Sequence, residues 1–290
     1  MNAPSPGSPA PDEHLISHVS DTARWTAWHR ATESERRDAL FIDPFARRLA
    51  GEQGRAIVAS TSRSGRNGWW LVARTKIIDD AILSAISDEG CDRVLNLAAG
   101  LDTRPYRMDL PADFTWVEAD LPGVVEEKTQ MLAGETPRCG LTRTAVDLAD
   151  SAARDAFLDD ALSGATKALV LTEGLLMYLG DGDVDGLSAS LQRPEVNWWM
   201  FDFVGPGLRD RTNAQMRGIR ENAPFRFAPD NGLAYFEDLG WRVVEWEQLL
   251  LAGRRMRRLP LSLRLLSMLP QPDSRHPVGP PWSAAVLLTH

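Results

Sequence analysis

The sequence predicts an α/β fold, a doubly wound sheet of seven mostly parallel strands with a helical N-terminal lid and an inserted helical cap. From residue 93 onward, apolar runs of five to eight residues alternate with helix-like segments, which is typical of a parallel sheet covered on both faces. One such run breaks at Gly100, and Asp120 follows twenty positions later at the end of the next run. A chain of 290 residues, 43% hydrophobic, can form one large core with additions.

The first 88 residues are predicted to be helical after a disordered tail. Residues 1–13 are rich in Pro, Ser and Ala, and no signal peptide or membrane span is expected there. Helices are expected at 22–31, 43–50 and 70–86, with Asp43 as N-cap of the second and Pro44 at its first position. Residues 14–88 are therefore interpreted as a helical lid.

Residues 89–290 are predicted to form the α/β core. The strands are placed at 93–98, 115–119, 142–146, 168–172, 196–203, 241–246 and 284–289. Ligands of such sheets bind at the carboxyl ends of the strands, so the lid and an insert at 205–240 are expected to cover the substrate there. A second insert, 247–282, separates the last two strands.

Composition excludes several partners. A net charge of -8 and a pI near 5.2 argue against a nucleic-acid substrate, and the one basic cluster, 254–258, is interpreted as a solvated loop or helix face. Cys91 and Cys139 are far apart without metal-ligand spacing, so free thiols, no metal site and a cytoplasmic location are expected. No membrane partner is predicted, and no oligomeric state is assigned.

The loop after the first strand indicates which ligand the sheet binds. It offers the single glycine Gly100, whereas the pyrophosphate of a dinucleotide needs several glycines so that the backbone can approach it. Asp102 would repel a phosphate, while Asp120 is placed to hold the hydroxyls of an adenosine ribose. S-adenosylmethionine has an adenosine, no phosphate and positive charges, so it is the predicted cofactor. The alternative is an ordinary strand-turn-helix connection with an aspartate N-cap.

Six segments in ordered succession resemble the leucine carboxyl methyltransferase family, and more closely its bacterial branch, which includes enzymes that esterify aromatic acids in polyketide pathways. They lie at 22–31, 43–46, 74–80, 96–104, 118–122 and 171–179. The resemblance covers roughly residues 20–205 and is weaker beyond. It implies a class I, Rossmann-like methyltransferase fold that uses S-adenosylmethionine.

The resemblance also implies roles for individual residues. Arg74 would hold the methionyl carboxylate, Gly100 would line the loop, and Asp120 would bind the ribose hydroxyls. Asp147 and Leu148 would meet the adenine, and Glu173 would lie near the methionine moiety. The expected cofactor site further includes Ala99, Asp102, Leu121 and Gly174. Ala99 stands where the family commonly has a second glycine, a mild change that should not block cofactor binding.

Each role has a plainer alternative. A guanidinium forks onto a carboxylate, which suits Arg74, but a solvated helix arginine would show the same pattern. Asp147 follows the third strand and could instead be a helix N-cap. Glu173 ends the fourth strand, where a buried charge without a function would be costly. Arg24 and Arg30 share one face of the first helix and could neutralise a carboxylate of cofactor or acceptor, or simply be exposed.

The predicted acceptor is the carboxylate of a small, aromatic or other natural-product acid. A carboxylic acid with a pKa of about 4 is ionised at neutral pH and needs positioning, whereas a phenol near 10 benefits from a general base. No catalytic dyad is evident, and the candidate positioning residues are Arg24, His29, Arg30 and Tyr178. Because His29 could serve as a general base, a hydroxyl group remains an alternative acceptor. A protein C-terminus as acceptor, a non-catalytic cofactor-binding protein and a nicotinamide oxidoreductase are the remaining alternatives.

Overall fold

The computed structural model describes residues 19–61, 67–215, 223–277 and 279–290. Its strands are β1 (Arg93–Leu97), β2 (Thr115–Asp120), β3 (Gly140–Ala145), β4 (Ala168–Thr172), β5 (Val196–Val204), β6 (Arg242–Gln248) and β7 (Ser283–Thr289). Its helices are α1 (Val19–Ser34), α2 (Ala46–Ser60), α3 (Trp69–Ser87), α4 (Arg104–Arg107), α5 (Pro122–Met131), α6 (Ser151–Ala161), α7 (Asp181–Leu191), α8 (Pro206–Gln215), α9 (Ala234–Asp238), α10 (Leu249–Arg255) and α11 (Leu261–Leu266). The predicted disordered tail, 1–13, lies outside the described residues.

The strands form one seven-stranded sheet in the order β3-β2-β1-β4-β5-β7-β6. Strands β1 to β5 pair in parallel, while β7 runs antiparallel to both β5 and β6. The predicted fold class is thereby confirmed. The strand order reverses between β1 and β4, and ligands of sheets with this topology bind at the carboxyl ends of the strands beside such a reversal.

Several predicted boundaries were wrong by a few residues. The third strand begins at Gly140 and not at residue 142, because Gly140 pairs with Thr115 in the ladder. The second helix begins at Ala46, after the predicted N-cap Asp43, whose Oδ1 nevertheless accepts the N–H groups of Phe45 and Ala46. It then continues to Ser60 through a kink at Gly51 (φ 57°). Only glycine adopts this backbone conformation without strain.

Both faces of the sheet are buried, which explains the apolar character of its central strands. Along β1, Val94 packs with α3 and α10 on one face, while Leu95 and Leu97 pack with α6 and α7 on the other. The same alternation along β5 directs Met200 to the first face and Phe201 to the second.

The three N-terminal helices occupy different places. Helices α1 and α2 pack on each other and against the loop after β1, where Ala27, Leu49 and Leu101 form one cluster. Helix α3 instead contributes Ile78 and Ile82 to the core beneath the sheet. The position of α1 and α2 over the loop after β1 is compatible with the predicted lid. The division of the chain into domains at residue 88 stays a prediction.

The insert at 205–240 contains α8 and α9 and is anchored in the core by Phe227 and Phe236. The ring centroids of Phe236 and of Phe201 in β5 lie 4.7 Å apart. The expected role of this insert as a cover over the substrate stays a prediction. Among the described helices, none has the length and apolar character needed to cross a membrane.

Candidate active site

The loop after β1 and the end of β2 are joined through one carboxylate. The N–H of Gly100 donates to Oδ2 of Asp120 at 2.6 Å, and the N–H of Leu121 donates to Oδ1 at 2.8 Å. Gly100 has φ 47°, and a Cβ on it would lie 3.3 Å from the Cβ of Ala23 in α1. This close, left-handed turn brings together Gly100, Asp120 and Leu121, three of the predicted cofactor-binding residues, and their contact with the cofactor stays a prediction.

Asp120 keeps acceptor capacity after these two bonds. Each carboxylate oxygen can accept two hydrogen bonds, and each holds one backbone N–H here. Burial raises the pKa of Asp120, whereas the two backbone N–H groups act in the opposite direction. The geometry therefore fits a diol such as the ribose of S-adenosylmethionine, which would donate to the remaining lone pairs.

A second cluster joins α3 to the ends of β4 and β5. Arg74 donates from Nε to Glu173 Oε1 at 2.8 Å and from Nη1 to Asp202 Oδ2 at 2.7 Å. The N–H of Gly174 donates to the other oxygen of Asp202 at 2.6 Å. Gly174 has φ 70°, and a Cβ on it would lie 3.6 Å from Nη1 of Arg74. Arg74 is thus buried and paired, and the alternative of a solvated helix arginine is wrong.

Arg104 links this cluster to the loop after β1. Its Nη1 donates to Asp102 Oδ2 at 2.6 Å and to Glu173 Oε2 at 2.7 Å, and its Nε donates to Asp79 Oδ1 at 2.7 Å. Asn96 of β1 donates to the same oxygen of Asp102 at 2.8 Å. Asp102 also caps the backbone N–H of Arg104, so its local role as a cap coexists with its place in the cluster.

Arginines set the ionisation of these carboxyl groups. Burial would raise the pKa of Asp102 and of Glu173, but the positive charge of Arg104 and other nearby cations outweighs it, so both pKa values are lowered. The pKa values of Arg74 and Arg104 are raised by the carboxylates although burial opposes this. Asp102, Glu173 and Asp202 place three carboxyl groups against the two guanidinium groups of Arg74 and Arg104. The excess negative charge favours a cationic ligand.

Asp79, Arg104 and Asp202 of this cluster were given no role by the sequence reasoning. Asp202 is a buried acid inside the apolar strand β5, and that isolation is a signal that could have identified it. Arg104 was read only as part of the loop motif, because its contact with Glu173 spans 69 positions.

The end of β3 holds Asp147 and Leu148 next to Asp120. The N–H of Val146 donates to the carbonyl of Asp120 at 2.9 Å, which fixes the two strand ends side by side. Asp147 is exposed and accepts from the N–H of Ala149, while the N-cap of α6 is Asp150. The N-cap alternative for Asp147 is therefore wrong, and its contact with adenine stays a prediction.

The two arginines of α1 have partners away from the Arg74 cluster. Arg30 is buried and donates from Nε to Asp43 Oδ2 at 2.8 Å and from Nη2 to the carbonyl of Leu101 at 2.6 Å. Arg24 donates to Glu127 and to the carbonyl of Leu49. For Arg30 the exposed alternative is wrong, since the residue fastens α1 to the loop after β1.

His29 and Tyr178 occupy different surroundings. His29 is buried, its ring abuts Gly68 so closely that a Cβ there would collide with it, and burial lowers its pKa to about 4. Its Nε2 has no hydrogen-bond partner among the described residues. Tyr178 ends the 3-10 turn Leu176–Tyr178 after β4 and packs edge-on at 5.3 Å from Phe225 of the insert. Tyr178 thus lies where the insert meets the strand that carries Glu173.

The structure shows two free, buried cysteines, Cys91 and Cys139, whose pKa values burial raises to about 11. Within the described residues, no group of three His, Cys, Asp or Glu side chains could hold a metal ion. The cytoplasmic location stays a prediction.

The strand order, with an antiparallel strand between β5 and β6, and the paired loops at Gly100 and Asp120 define a Rossmann-like methyltransferase fold. Two solved structures share it. A DUF574 family protein of Streptomyces avermitilis has 15% identity, covers 92% of this chain and 96% of its own, and gives a TM-score of 0.56. A protein of Thermobifida fusca described as a methyltransferase has 14% identity, 97% and 99% coverage, and a TM-score of 0.56.

The chain belongs to the leucine carboxyl methyltransferase family, whose model matches residues 23–192. A protein of Parafrankia sp. described as an S-adenosyl-L-methionine-dependent methyltransferase is 33% identical over 263 residues, 84% of this chain and 84% of that protein. One of Mycobacteroides abscessus, described in the same words, is 35% identical over 240 residues, 74% of this chain and 76% of its own. The predicted family and the predicted cofactor, S-adenosylmethionine, are confirmed.

Proposed function

We propose that this methyltransferase transfers the methyl group to the carboxylate of a small, aromatic or other natural-product acid and releases the methyl ester. The observation that supports a carboxylate acceptor is the lowered pKa of three groups, the carboxyl groups of Asp102 and Glu173 near the strand ends and the imidazole of His29 in α1. Arg104 and Arg74 lower the pKa of Glu173, Arg104 lowers that of Asp102, and burial lowers that of His29 to about 4. Groups with such pKa values are weak bases at neutral pH.

A carboxylate does not need a strong base. It is ionised at neutral pH and reacts once it is positioned and desolvated, whereas a phenol would have to lose a proton. The surroundings of Asp102, Glu173 and His29 therefore suit an acceptor that arrives in its reactive form. Family membership supports the same acceptor class.

Individual residues of this chain would bind the cofactor. Asp120 would accept from the ribose hydroxyls, and Asp147 with Leu148 would hold the adenine. Arg74 uses Nε and Nη1 for Glu173 and Asp202, and its Nη2 could take the methionyl carboxylate. When bound, S-adenosylmethionine supplies an electrophilic methyl group on a sulfonium.

The net negative charge of the cluster would then balance the positive charge of that ligand. Arg74 and Arg104 hold the carboxyl groups of Asp102, Glu173 and Asp202 in place through ion pairs. The insert at Tyr178 and Phe225, together with α1, would exclude water from the acceptor.

The cofactor part of this proposal is tested with Asp120→Ala, and the matched control is Asp113→Ala, an exposed acid before the amino end of β2 and so away from the carboxyl end where Asp120 lies. Loss of the hydrogen bonds to a charged group should weaken S-adenosylmethionine binding about tenfold to a hundredfold. Isothermal titration calorimetry on the folded variants measures the affinity for S-adenosylmethionine. Equal affinity in Asp120→Ala and in the control would remove Asp120 from the site.

The acceptor part is tested with a panel of aromatic and aliphatic acids and phenols and a cofactor with an isotopically labelled methyl group. The account predicts label in a product from which mild alkali releases methanol, as an ester does. An alkali-stable labelled ether would overturn the carboxylate acceptor while leaving methyl transfer intact. Label on protein C-termini and on no small acid would overturn the substrate class.

A further inference from the structure

The segment 251–269, which covers most of α10, all of α11 and the turn after it, differs from the rest of the chain in charge. It contains five arginines and no acidic residue, in a chain whose net charge is -8. Arg255 pairs with Glu247, and Arg258 is buried against Glu33 of α1. The earlier interpretation of this cluster as a wholly solvated face is therefore wrong for Arg258. Arg254, Arg257 and Arg264 are exposed, and none pairs with a carboxylate among the described residues.

The same segment exposes large apolar side chains. Leu261 is 77% exposed, Leu265 74% and Met268 67%, and Leu266 and Leu269 are exposed as well. Leu261 and Leu265 are four residues apart in α11 and therefore share one face of the helix, and Met268 follows in the turn after it. No residue of α11 is buried. Contiguous exposed apolar surface of this kind typically marks an interaction site.

The segment is held in a fixed orientation. Arg258 donates from Nε and Nη2 to Glu33 of α1, at 2.9 Å and 2.7 Å to its two oxygens. Gly253 lies so close to Trp69 of α3 that a Cβ would be 2.7 Å from the ring. Beyond α11, Gln248 donates to Gln271 at 2.8 Å. The apolar side chains thus point outward from an anchored element.

We propose that residues 254–269, here called the arginine-leucine face, dock on the surface of a bilayer that contains anionic phospholipids. Arg254, Arg257 and Arg264, whose charges are not balanced by a carboxylate among the described residues, complement lipid phosphates. The exposed leucines and Met268 reach the boundary between headgroups and acyl chains. A symmetric dimer through this face would instead bring the same arginines of two copies together, which is unfavourable. The proposal goes beyond methyl transfer. It revises the prediction of no membrane partner, which depended on the lack of a spanning or signal segment.

The test uses the full chain with two kinds of vesicle, pure phosphatidylcholine and phosphatidylcholine with about one third phosphatidylglycerol. Sedimentation should show binding to the anionic vesicles and little to the neutral ones. Raising the salt from about 0.1 M to about 0.5 M should weaken this binding several-fold because the arginine charges are screened. Equal binding to both vesicles, or binding to neither, would overturn the proposal.

Substitutions locate the binding face. The double variant Leu261→Ser with Leu265→Ser should lower the partition constant about tenfold or more, since two exposed leucines no longer insert. Val244→Ser, at an exposed apolar position of β6, is the matched control and should bind like the parent. Arg257→Gln should reduce both affinity and salt sensitivity. Unchanged melting temperatures and cofactor affinity verify folding.

Two outcomes would assign the face to another occupant. If the parent is a dimer in solution and the Leu261→Ser, Leu265→Ser variant is a monomer, with no vesicle binding by either, the face joins two copies of the chain. If the parent binds an acidic protein partner and not anionic vesicles, the face recognises that protein. Either result contradicts the bilayer proposal.

Discussion

Arg30 and Asp43 form a buried ion pair, 2.8 Å between Nε and Oδ2, that fastens the first helix to the loop after β1. The same oxygen of Asp43 accepts from the hydroxyl of Thr103 at 2.6 Å, and Arg30 reaches the carbonyl of Leu101 at 2.6 Å. Burial would raise the pKa of Asp43, but Arg30 and the hydroxyl of Thr103 outweigh it and the pKa is lowered. The pair therefore fixes the loop that carries Gly100.

Asp43→Ala should destabilise the protein by about 3 to 5 kcal/mol, because it leaves the Arg30 guanidinium buried without a counter-charge. Urea unfolding at neutral pH measures the change, with the exposed Asp113→Ala, expected within about 0.5 kcal/mol of the parent, as control. A loss below about 1 kcal/mol in Asp43→Ala would show that the pair contributes little to the fold.

Arg74→Lys should weaken S-adenosylmethionine binding although it keeps the charge. A single ammonium cannot contact Glu173 and Asp202 and also hold a third N–H in the fixed position that Nη2 of the planar guanidinium offers to the methionyl carboxylate. Calorimetric titration compares it with Lys76→Arg, the reverse change two residues away on α3 at a half-exposed position. Full affinity in Arg74→Lys would show that Arg74 contributes only its positive charge and that the planar geometry of the guanidinium is not needed.

His29 should make folding stability depend on pH. Its pKa is about 4 in the folded protein and 6.5 in the unfolded chain, so the unfolded state binds more protons between these values. Stability is then complete above about pH 6.5 and falls by up to about 3 kcal/mol as the pH drops to 4.

The variant His29→Gln isolates this effect. It removes the ionisation and keeps a polar side chain of similar reach, so its unfolding free energy should change less between pH 6.5 and 4 than that of the parent. Acidic groups with lowered pKa values, such as Asp102, still titrate in both proteins at lower pH. Parallel pH profiles of parent and variant would mean that His29 is accessible to solvent and protons in the folded state.

The local parts of the site could be predicted from the sequence because they depend on neighbours in the chain. Gly100 and Asp120 end consecutive parallel strands, so their spacing alone places them together. The existence of seven strands and their mostly parallel pairing were predicted from the alternation of apolar runs with helix-like segments, whereas the order of the strands in the sheet is known only from the structure. The start of β3 at Gly140 was not predicted, because it is set by the pairing of Gly140 with Thr115 in the ladder.

The long-range contacts could not be predicted. Arg258 and Glu33 are 225 positions apart, and Arg74 and Asp202 are 128 apart, so their pairing exists only once the sheet and helices have assembled. Arg30 illustrates the limit. Its helix and its face were predicted, but nothing local in the sequence indicates that Asp43 and Leu101 satisfy its guanidinium.

The acceptor is the central claim, and the single-turnover rate against pH tests it most directly, with saturating cofactor and the acid identified by the acceptor panel. A carboxylate is fully ionised above about pH 6, so the chemical step should stay flat from about pH 6 to 9 in the parent and in His29→Gln. A rate that climbs steadily towards tenfold per pH unit over that range would show that the acceptor loses a proton before reaction, and would contradict carboxylate methylation.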